Sequence, residues 1–162
     1  MLAAGYSQSV GVKGFNLAAG LFSVMGNQNA GDPSWNSVQN SVTQNAIAQN
    51  RLKNTFGISV EPGWNVSKDA LGYLKLAWIR SQFNMSGSYS QSDGFRSSWD
   101  YTQNINGFGY GLGGKYVFTE NIYVTIDLMG VSYRSTSYGN SIGGGNVSNS
   151  QTLGFVGIGY KF

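Results

Sequence analysis

The chain contains no cysteine and no histidine, and it has few acidic residues. The absence of cysteine excludes disulfide bonds and thiolate chemistry. The absence of histidine excludes Ser-His and Cys-His hydrolases together with the usual zinc sites. Glu61, Glu120 and five aspartates are left as candidate acid–base groups. We therefore expect a protein that is not an enzyme and that has neither a cofactor nor a metal site.

Charge is scarce in the sequence as a whole. Charged residues make up 10% of the 162 residues, whereas about a quarter is usual for a soluble domain. So few charges are atypical of a soluble surface and of a charged disordered chain. The net charge is +3, but the lysines are scattered along the sequence, so we expect no nucleic-acid binding.

Long hydrophobic runs are missing as well. No apolar run approaches the roughly 18 residues of a transmembrane helix. The opening residues, MLAAG, lack the basic and apolar regions of a signal peptide. We expect the signal peptide to be absent from this chain, which would then be a mature or trimmed form.

Glycine and aromatic residues are abundant, and residues 107–118 (GFGYGLGGKYVF) combine them. Gly109, Gly111 and Gly114 fit the G-x-G-x-x-G spacing of a dinucleotide-binding loop, which must be followed by a helix. A strand-like run, 119–130, follows instead. Large apolar residues alternate with glycine here, and this period of two predicts a β-strand.

The same alternation recurs along the chain. One face of each run carries large apolar residues, and the other carries glycine, small residues or an isolated charge. The runs predict seven strands near 2–9, 14–25, 54–64, 70–83, 105–118, 121–134 and 151–162. Short turns alternate with long polar loops near 26–54, 84–104 and 134–151. Within the first loop, residues 37–54 are a candidate for a short helix.

This pattern predicts a protein whose apolar face is turned outward. Large apolar residues facing lipid and small residues facing a narrow lumen are typical of transmembrane β-barrels. Closure is needed because an open sheet edge leaves backbone groups unpaired in hydrocarbon. We therefore predict an all-β fold, an antiparallel up-and-down transmembrane β-barrel of about eight strands, in one domain over 1–162. Aromatic residues near the short turns predict an interfacial girdle of Trp64, Tyr73, Tyr116, Phe118 and Tyr123.

The last residues, GFVGIGYKF, resemble the C-terminal strand of Gram-negative outer-membrane barrels. The hairpins VEPGWNVSKDALGYLKLAW and GYGLGGKYVFTENIYVTIDL resemble those of the OmpA-like, opacity-type small barrels. The resemblance implies an outer-membrane location. It also implies recognition by the barrel-assembly machinery through a terminal-strand motif of Val156, Ile158, Tyr160 and Phe162. The family has eight strands, whereas seven are visible here. Either a first strand is missing from this chain, or two strands have been merged, or a partner supplies one.

Four charged residues share the inward parity of neighbouring predicted strands: Glu61, Lys75, Lys115 and Asp127. They suggest either a selectivity or gating cluster in a pore, or ion pairs that fill a lumen without a continuous channel. We favour the second interpretation. Arg80 shares the outward parity of Trp78 and lies near the outer rim. It is a candidate for contact with lipopolysaccharide phosphates, or it extends along the surface to the interface.

Aromatic residues in the long loops are candidates for a recognition surface, because tyrosine and tryptophan dominate binding hot spots. The alternative is that they pack the loops onto the barrel rim. These residues are Trp35, Tyr89, Phe95, Trp99, Tyr101 and Tyr138.

The sequence therefore predicts a non-enzymatic, structural and surface-exposed outer-membrane barrel that serves adhesion or recognition through its extracellular loops. The alternative is a narrow porin-like channel for small solutes or ions. A soluble barrel of the lipocalin type is disfavoured by the glycine-lined face. The expected partners are outer-membrane lipid and lipopolysaccharide, the assembly machinery, and a protein at the loops.

Overall fold

The computed structural model describes residues 1–11, 13–39, 41–140 and 143–160 of the chain, and 136–140 and 143–147 by their backbone alone. Every helix or strand in these ranges is a strand. No helix within them is long and apolar enough to cross a membrane. The strands are β1 (Leu2–Ser9), β2 (Phe15–Val24), β3 (Gln28–Asn29), β4 (Ser34–Gln39), β5 (Val42–Asn65), β6 (Ala70–Gln91), β7 (Arg96–Val117), β8 (Ile122–Tyr133), β9 (Thr136–Asn140), β10 (Gly143–Val147) and β11 (Ser150–Tyr160).

Seven strands form one antiparallel path in the order β1-β2-β5-β6-β7-β8-β11. β3 and β4 pair with β5 beside this path, and β9 and β10 form a separate hairpin. The predicted fold class, all-β and antiparallel up-and-down, is confirmed. The seven strands predicted from the sequence are those of the path. In the described part of the chain, no hydrogen-bonded ladder joins β1 to β11.

The sheet is strongly curved, because side chains meet across an intervening strand. Lys115 of β7 contacts Glu61 of β5 across β6, and Tyr73 of β6 contacts Asp127 of β8 across β7. These contacts define an inner face. The outer face carries exposed leucine, isoleucine, phenylalanine and tryptophan side chains on every strand from β5 to β8. The alternation read from the sequence therefore assigns the two faces correctly on these strands.

The inner face contains a buried apolar cluster. It includes side chains from six strands: Phe22, Leu52, Ala77, Ile79, Phe83, Met85, Ile105, Met129, Val131, Tyr133 and Leu153. Glycines on the same face leave room for its aromatic rings. A Cβ atom added at Gly57 would overlap the ring of Phe22. Close packing of this kind requires glycine opposite the ring.

Three strands extend well beyond the predicted bounds. β5, β6 and β7 contain 24, 22 and 22 residues, about twice the ~9–11 residues that cross a bilayer. The predicted loop 84–104 is wrong, because β6 and β7 continue to a turn that occupies only 92–95. The predicted loop 26–54 contains β3, β4 and half of β5, and the loop 134–151 contains β9 and β10. We refer to residues 42–53, 82–91 and 96–105, together with β4, as the extension.

The short helix suggested for 37–54 is wrong as well. Residues 42–47 pair with β4, and residues 44–53 pair with β6. Both edges of this polar segment thus have backbone partners, which stabilises the extended conformation over a helix. Several of the cross-strand pairs in this segment are polar, for instance Gln44 with Gln91 and Asn45 with Ser90.

A β-bulge in β5 marks the boundary between the apolar part of the strand and the extension. The register with β6 shifts between Lys53 and Phe56, and Asn54 adopts a positive φ of 50°. Leu52 and Thr55 are both fully buried although they are three residues apart. In an unbroken strand this spacing would put them on opposite faces. The bulge therefore keeps both segments of β5 in register with the interior.

Candidate functional site

The four predicted interior charges form one network on the inner face. Glu61, Lys75, Lys115 and Asp127 are contributed by β5, β6, β7 and β8 in turn. Lys75 Nζ lies 3.0 Å from Glu61 Oε1 and 3.2 Å from Asp127 Oδ2. Lys115 Nζ lies 3.0 Å from Glu61 Oε2. The inward parity of four neighbouring strands thus brings together residues up to 66 positions apart in the sequence.

The network is electrically balanced, with two cations and two carboxylates. Glu61, Lys75 and Asp127 are buried. Glu61 also accepts a hydrogen bond from Ser59 Oγ at 3.2 Å. Because each buried charge has an oppositely charged partner, the usual penalty for an isolated buried ion is avoided. A balanced, mutually paired cluster of this kind fills space rather than presenting a free charge to a passing ion.

Tyr73 belongs to this network, and its assignment to the aromatic girdle was wrong. Its side chain is 5% exposed and its hydroxyl donates a hydrogen bond of 2.7 Å to Asp127 Oδ1. The same hydroxyl lies 2.9 Å from Thr125 Oγ1, and Lys115 Nζ lies 4.7 Å from the centre of the ring. Tyr73 and Lys75 have the same parity on β6, so the alternation alone places Tyr73 on the inner face. Its proximity to a turn led instead to the girdle prediction.

Tyr123 was also misassigned to the girdle. It shares the inner face with Thr125 and Asp127, and its ring occupies the space that a side chain at Gly159 would need. The other three girdle residues do lie on the outer face. At least half of the surface is exposed for each of Trp64, Tyr116 and Phe118. The centroid of the Trp64 ring lies 5.2 Å from that of Phe15, and the centroid of the Tyr116 ring lies 5.0 Å from that of Phe118.

A second polar chain lies within the apolar cluster, and sequence reasoning did not identify it. Thr55 Oγ1 lies 2.8 Å from Ser81 Oγ, which in turn lies 3.1 Å from the hydroxyl of Tyr133. All three residues are buried. Ser81 and Tyr133 have the same parity as Lys75 and Asp127, so their inward position was readable from the alternation alone.

The terminal-strand residues Val156, Ile158 and Tyr160 are exposed on the outer face of β11. Phe162, the last residue of the predicted motif, lies outside the described residues. Arg80 is exposed on the outer face of β6, opposite Phe56 on β5 and Asn106 on β7. Among the described residues, no group of three or more aspartate or glutamate side chains is close enough together to hold a metal ion.

Four of the described recognition aromatics share one face of the extension. Trp35 pairs with Ala46, and Ala46 pairs in turn with Tyr89. Trp99 and Tyr101 pair with Gly87 and Met85, which have the same parity on β6 as Tyr89.

Trp35 on β4 and Phe95 in the 92–95 turn are half exposed, and the ring of Phe95 lies 6.1 Å from that of Tyr89. The Trp99 ring faces inward and lies over Gly87, so its packing role prevails over a surface role. Tyr101 donates a hydrogen bond to Gln103 of the same strand. The side chain of Tyr138 lies outside the described residues.

Comparisons with known proteins give no relative: no family model, no curated protein and no solved structure matches this chain.

Proposed function

We propose that this chain is a non-enzymatic outer-membrane β-barrel protein that holds a rigid β-structured extension outside the cell for adhesion or recognition. The observation that carries the proposal is the inversion of polarity across the sheet. Exposed large apolar side chains cover the outer face over residues 56–64, 70–80 and 106–117. Glu61, Lys75 and Lys115 of the same segments lie inside in ion pairs. Water favours the opposite arrangement, and lipid favours this one.

The length of the strands supports the proposal that a rigid β-structured extension lies outside the cell. The outer face changes from apolar to polar at Lys53 on β5 and at Gln82 on β6. Beyond this boundary the extension is rich in serine, asparagine, glutamine and threonine, which suits an aqueous surface. Because the extension is paired as β-sheet, it presents its side chains on a rigid support rather than on mobile loops.

The interior weighs against the alternative of a narrow channel. The paired charges fill the inner face near the short turns, and the apolar cluster fills it next to them. An eight-stranded barrel is just wide enough for side chains to fill its interior. Removal of charge would therefore change stability before it changed permeation.

Membrane insertion is tested by refolding the chain with and without detergent. We expect a folded form only in detergent or lipid, with a mobility on gels that changes on boiling. A cooperative fold in water without detergent would refute the membrane proposal.

Orientation is tested in intact cells by single cysteine variants, because the natural chain has no cysteine. A membrane-impermeant maleimide should label Ser98→Cys on the extension and leave Glu120→Cys, in the 118–121 turn, unlabelled until the cells are opened. Labelling of Glu120→Cys alone in intact cells would show the reverse orientation.

Recognition is tested by shortening the extension. Cells that display a chain in which 84–104 is replaced by a short turn should adhere less to one another or to eukaryotic cell layers than cells with the full chain. The matched control carries substitutions in the 118–121 turn. Equal adherence of cells with the shortened chain and cells with the full chain, at equal amounts of protein on the surface, would refute a role of the extension in recognition. The proposal would then be limited to a structural barrel.

A further inference from the structure

We propose that the outer surface binds a phosphate-bearing lipid, with its phosphate held by Arg80, Lys53 and Arg134 and its acyl chain lying in an apolar groove beside them. This inference rests on the proposed membrane location. It adds two cations and an apolar groove to the single contact with lipopolysaccharide phosphates that the sequence suggested at Arg80.

Arg80 lies where the apolar outer face ends. Its cross-strand partner is Phe56 on β5, whose ring contacts Trp78 edge-on at a centroid distance of 6.3 Å. Trp78 precedes Arg80 on the same face of β6, and Gln82 follows it. Arg80 thus lies between the Phe56–Trp78 contact, on the side of the short turns, and the polar extension, which begins with the next outward residue of β6, Gln82. This is the level at which the headgroups of a lipid leaflet meet its acyl chains.

Lys53 and Arg134 lie at the same boundary. Lys53 pairs with Gln82, and paired residues share a face, so Lys53 projects outward on the strand next to Arg80. The backbone N–H of Arg134 donates to the carbonyl of Asn106 at 2.8 Å, and Asn106 pairs with Arg80. Arg80 and Arg134 are therefore two strands apart, about 10 Å at the ~4.8 Å spacing of neighbouring strands.

These cations have no carboxylate partner in the described part of the chain. The seven acidic residues are placed elsewhere. Asp32 pairs with Arg51; Glu61 and Asp127 are inside; Asp69 and Glu120 lie at the short turns; Asp93 lies in the 92–95 turn, and Asp100 lies on β7 near that turn. The boundary from β5 to β8 is thus positively charged, and an anion is its natural complement.

An apolar groove lies below the cations on the outer face. Its floor is formed where β1 and β2 carry alanine and glycine while β5 to β7 carry large side chains. Its principal lining residues are Ala4, Ala19, Leu21, Ile58, Leu76 and Trp78. The groove runs across the strands from Ala4 on β1 to Phe108 on β7 and offers a linear apolar chain more contact than a flat surface would. Trp78, two residues from Arg80, lies along it.

Cations and groove together select the ligand. Guanidinium groups hold phosphate oxygens through paired hydrogen bonds, which are stronger where water is scarce. An inorganic phosphate would leave the groove uncovered, and a neutral lipid would leave the cations unpaired. A lipid that carries at least one phosphate satisfies both features.

The inference is tested with the full chain folded in non-ionic detergent. The probes are dodecyl phosphate, dodecanol and inorganic phosphate, and binding is followed by tryptophan fluorescence. We expect saturable binding of dodecyl phosphate that weakens as salt is added, and neither of the other probes should match it. Arg80→Gln should weaken binding by about tenfold, as expected when one charge-assisted hydrogen-bonded contact is lost, and Lys53→Gln and Arg134→Gln should each weaken it. Lys68→Gln, at the opposite end, is the matched control.

Each other outcome overturns the inference. Equal binding of dodecanol would reduce the site to the groove, and equal binding of inorganic phosphate would reduce it to an anion site without a lipid. Unchanged binding in the three variants would exclude these cations. Heat-modifiable mobility of every variant confirms that it is folded. If Arg80→Gln does not fold, Arg80→Lys, which keeps the charge but not the paired hydrogen bonds of the guanidinium, replaces it in the binding test. If the wild type requires detergent to fold but ignores dodecyl phosphate, this inference fails while the proposed function stands.

Discussion

Lys75 and Asp127 are 52 residues apart in the sequence, and their side chains meet in the interior with Nζ 3.2 Å from Oδ2. Neither strand is the hydrogen-bonded neighbour of the other, since β7 lies between them. The pair therefore depends on the curvature of the sheet. Lys75 also contacts Glu61, so a single ammonium group connects three strands through two carboxylates.

Removal of this ammonium should be costly. Lys75→Met leaves Asp127 without a cation and Glu61 with Lys115 alone, and loss of one partner of a buried pair costs about 3–5 kcal/mol. Urea unfolding in detergent or lipid vesicles measures the change. Lys68→Met is the control, because Lys68 is 90% exposed and such substitutions usually change stability by less than ~0.5 kcal/mol. Equal effects of the two variants would contradict the structural role of the network.

Gly113 should tolerate no side chain. It pairs with Tyr73 on one side and Asp127 on the other, and an added Cβ would overlap the Tyr73 ring. Gly113→Ala should lower the free energy of unfolding by about 1–3 kcal/mol, the range for overpacking. Gly154→Ala is the matched control, since a Cβ there meets nothing within 4 Å. Destabilisation of Gly154→Ala to the same extent would point to a backbone effect rather than to the ring contact.

The refolded protein should be silent in a planar bilayer. The interior contains the paired charges and the apolar cluster, so no continuous polar path is expected. Single-channel recording checks this, with heat-modifiable mobility of the same sample as proof of folding. Discrete and reproducible conductance steps would favour the channel alternative, with Lys75 and Asp127 as the first residues to test for ion selectivity.

The four tryptophans should divide into two classes in a membrane. Trp64 and Trp78 lie on the outer apolar face, whereas Trp35 and Trp99 belong to the extension. In single-tryptophan variants, brominated lipids should quench the fluorescence of the first pair and spare the second. Quenching of all four, or of none, would contradict the proposed position of the membrane boundary near Lys53 and Arg80.

Asp32 should titrate below the ordinary aspartate range. Its hydrogen bond with Arg51 is the main cause that lowers its pKa, and the Arg51 Nη1–Asp32 Oδ1 distance is 2.5 Å. A lowered folded-state pKa means that the contribution to stability is present above the unfolded value of about 3.9. It is lost as the pH falls through the folded value. NMR titration of the carboxyl carbon checks the shift, and Arg51→Gln should move the pKa back up.

Local alternation identified the seven strands of the path and the inward direction of Glu61, Lys75, Lys115 and Asp127. The strand prediction failed where a segment was assigned by its polarity instead of by the alternation of its side chains. The polarity of residues 84–91 and 96–104 predicts a loop, yet residues 84–90 pair with residues 96–102 across the hairpin. Met85, Tyr89, Trp99 and Tyr101 keep the inward parity of their strands, but the polar residues around them make this alternation too weak to indicate strands.

Tyr73 illustrates a second limit. Its nearness to a turn suggested an interfacial position, whereas its parity put it inside. Parity prevailed because the inward position gives its hydroxyl a carboxylate partner in Asp127 and gives its ring the space above Gly113. Neither partner is close to Tyr73 in the sequence, and a buried hydroxyl without a partner would have been unfavourable.

The order of the residues is enough to assign each side chain of a path strand to one face, because successive residues of a strand point to opposite sides whatever the surroundings. It also determined the short turns and the scarcity of charge that set the polarity of the two faces. The assembled sheet was needed to show which charges pair, where the bulge at Lys53–Phe56 resets the register, and how far β5, β6 and β7 continue. Those features depend on contacts between distant segments, since curvature of the sheet and cross-strand hydrogen bonds arise only when the strands are assembled.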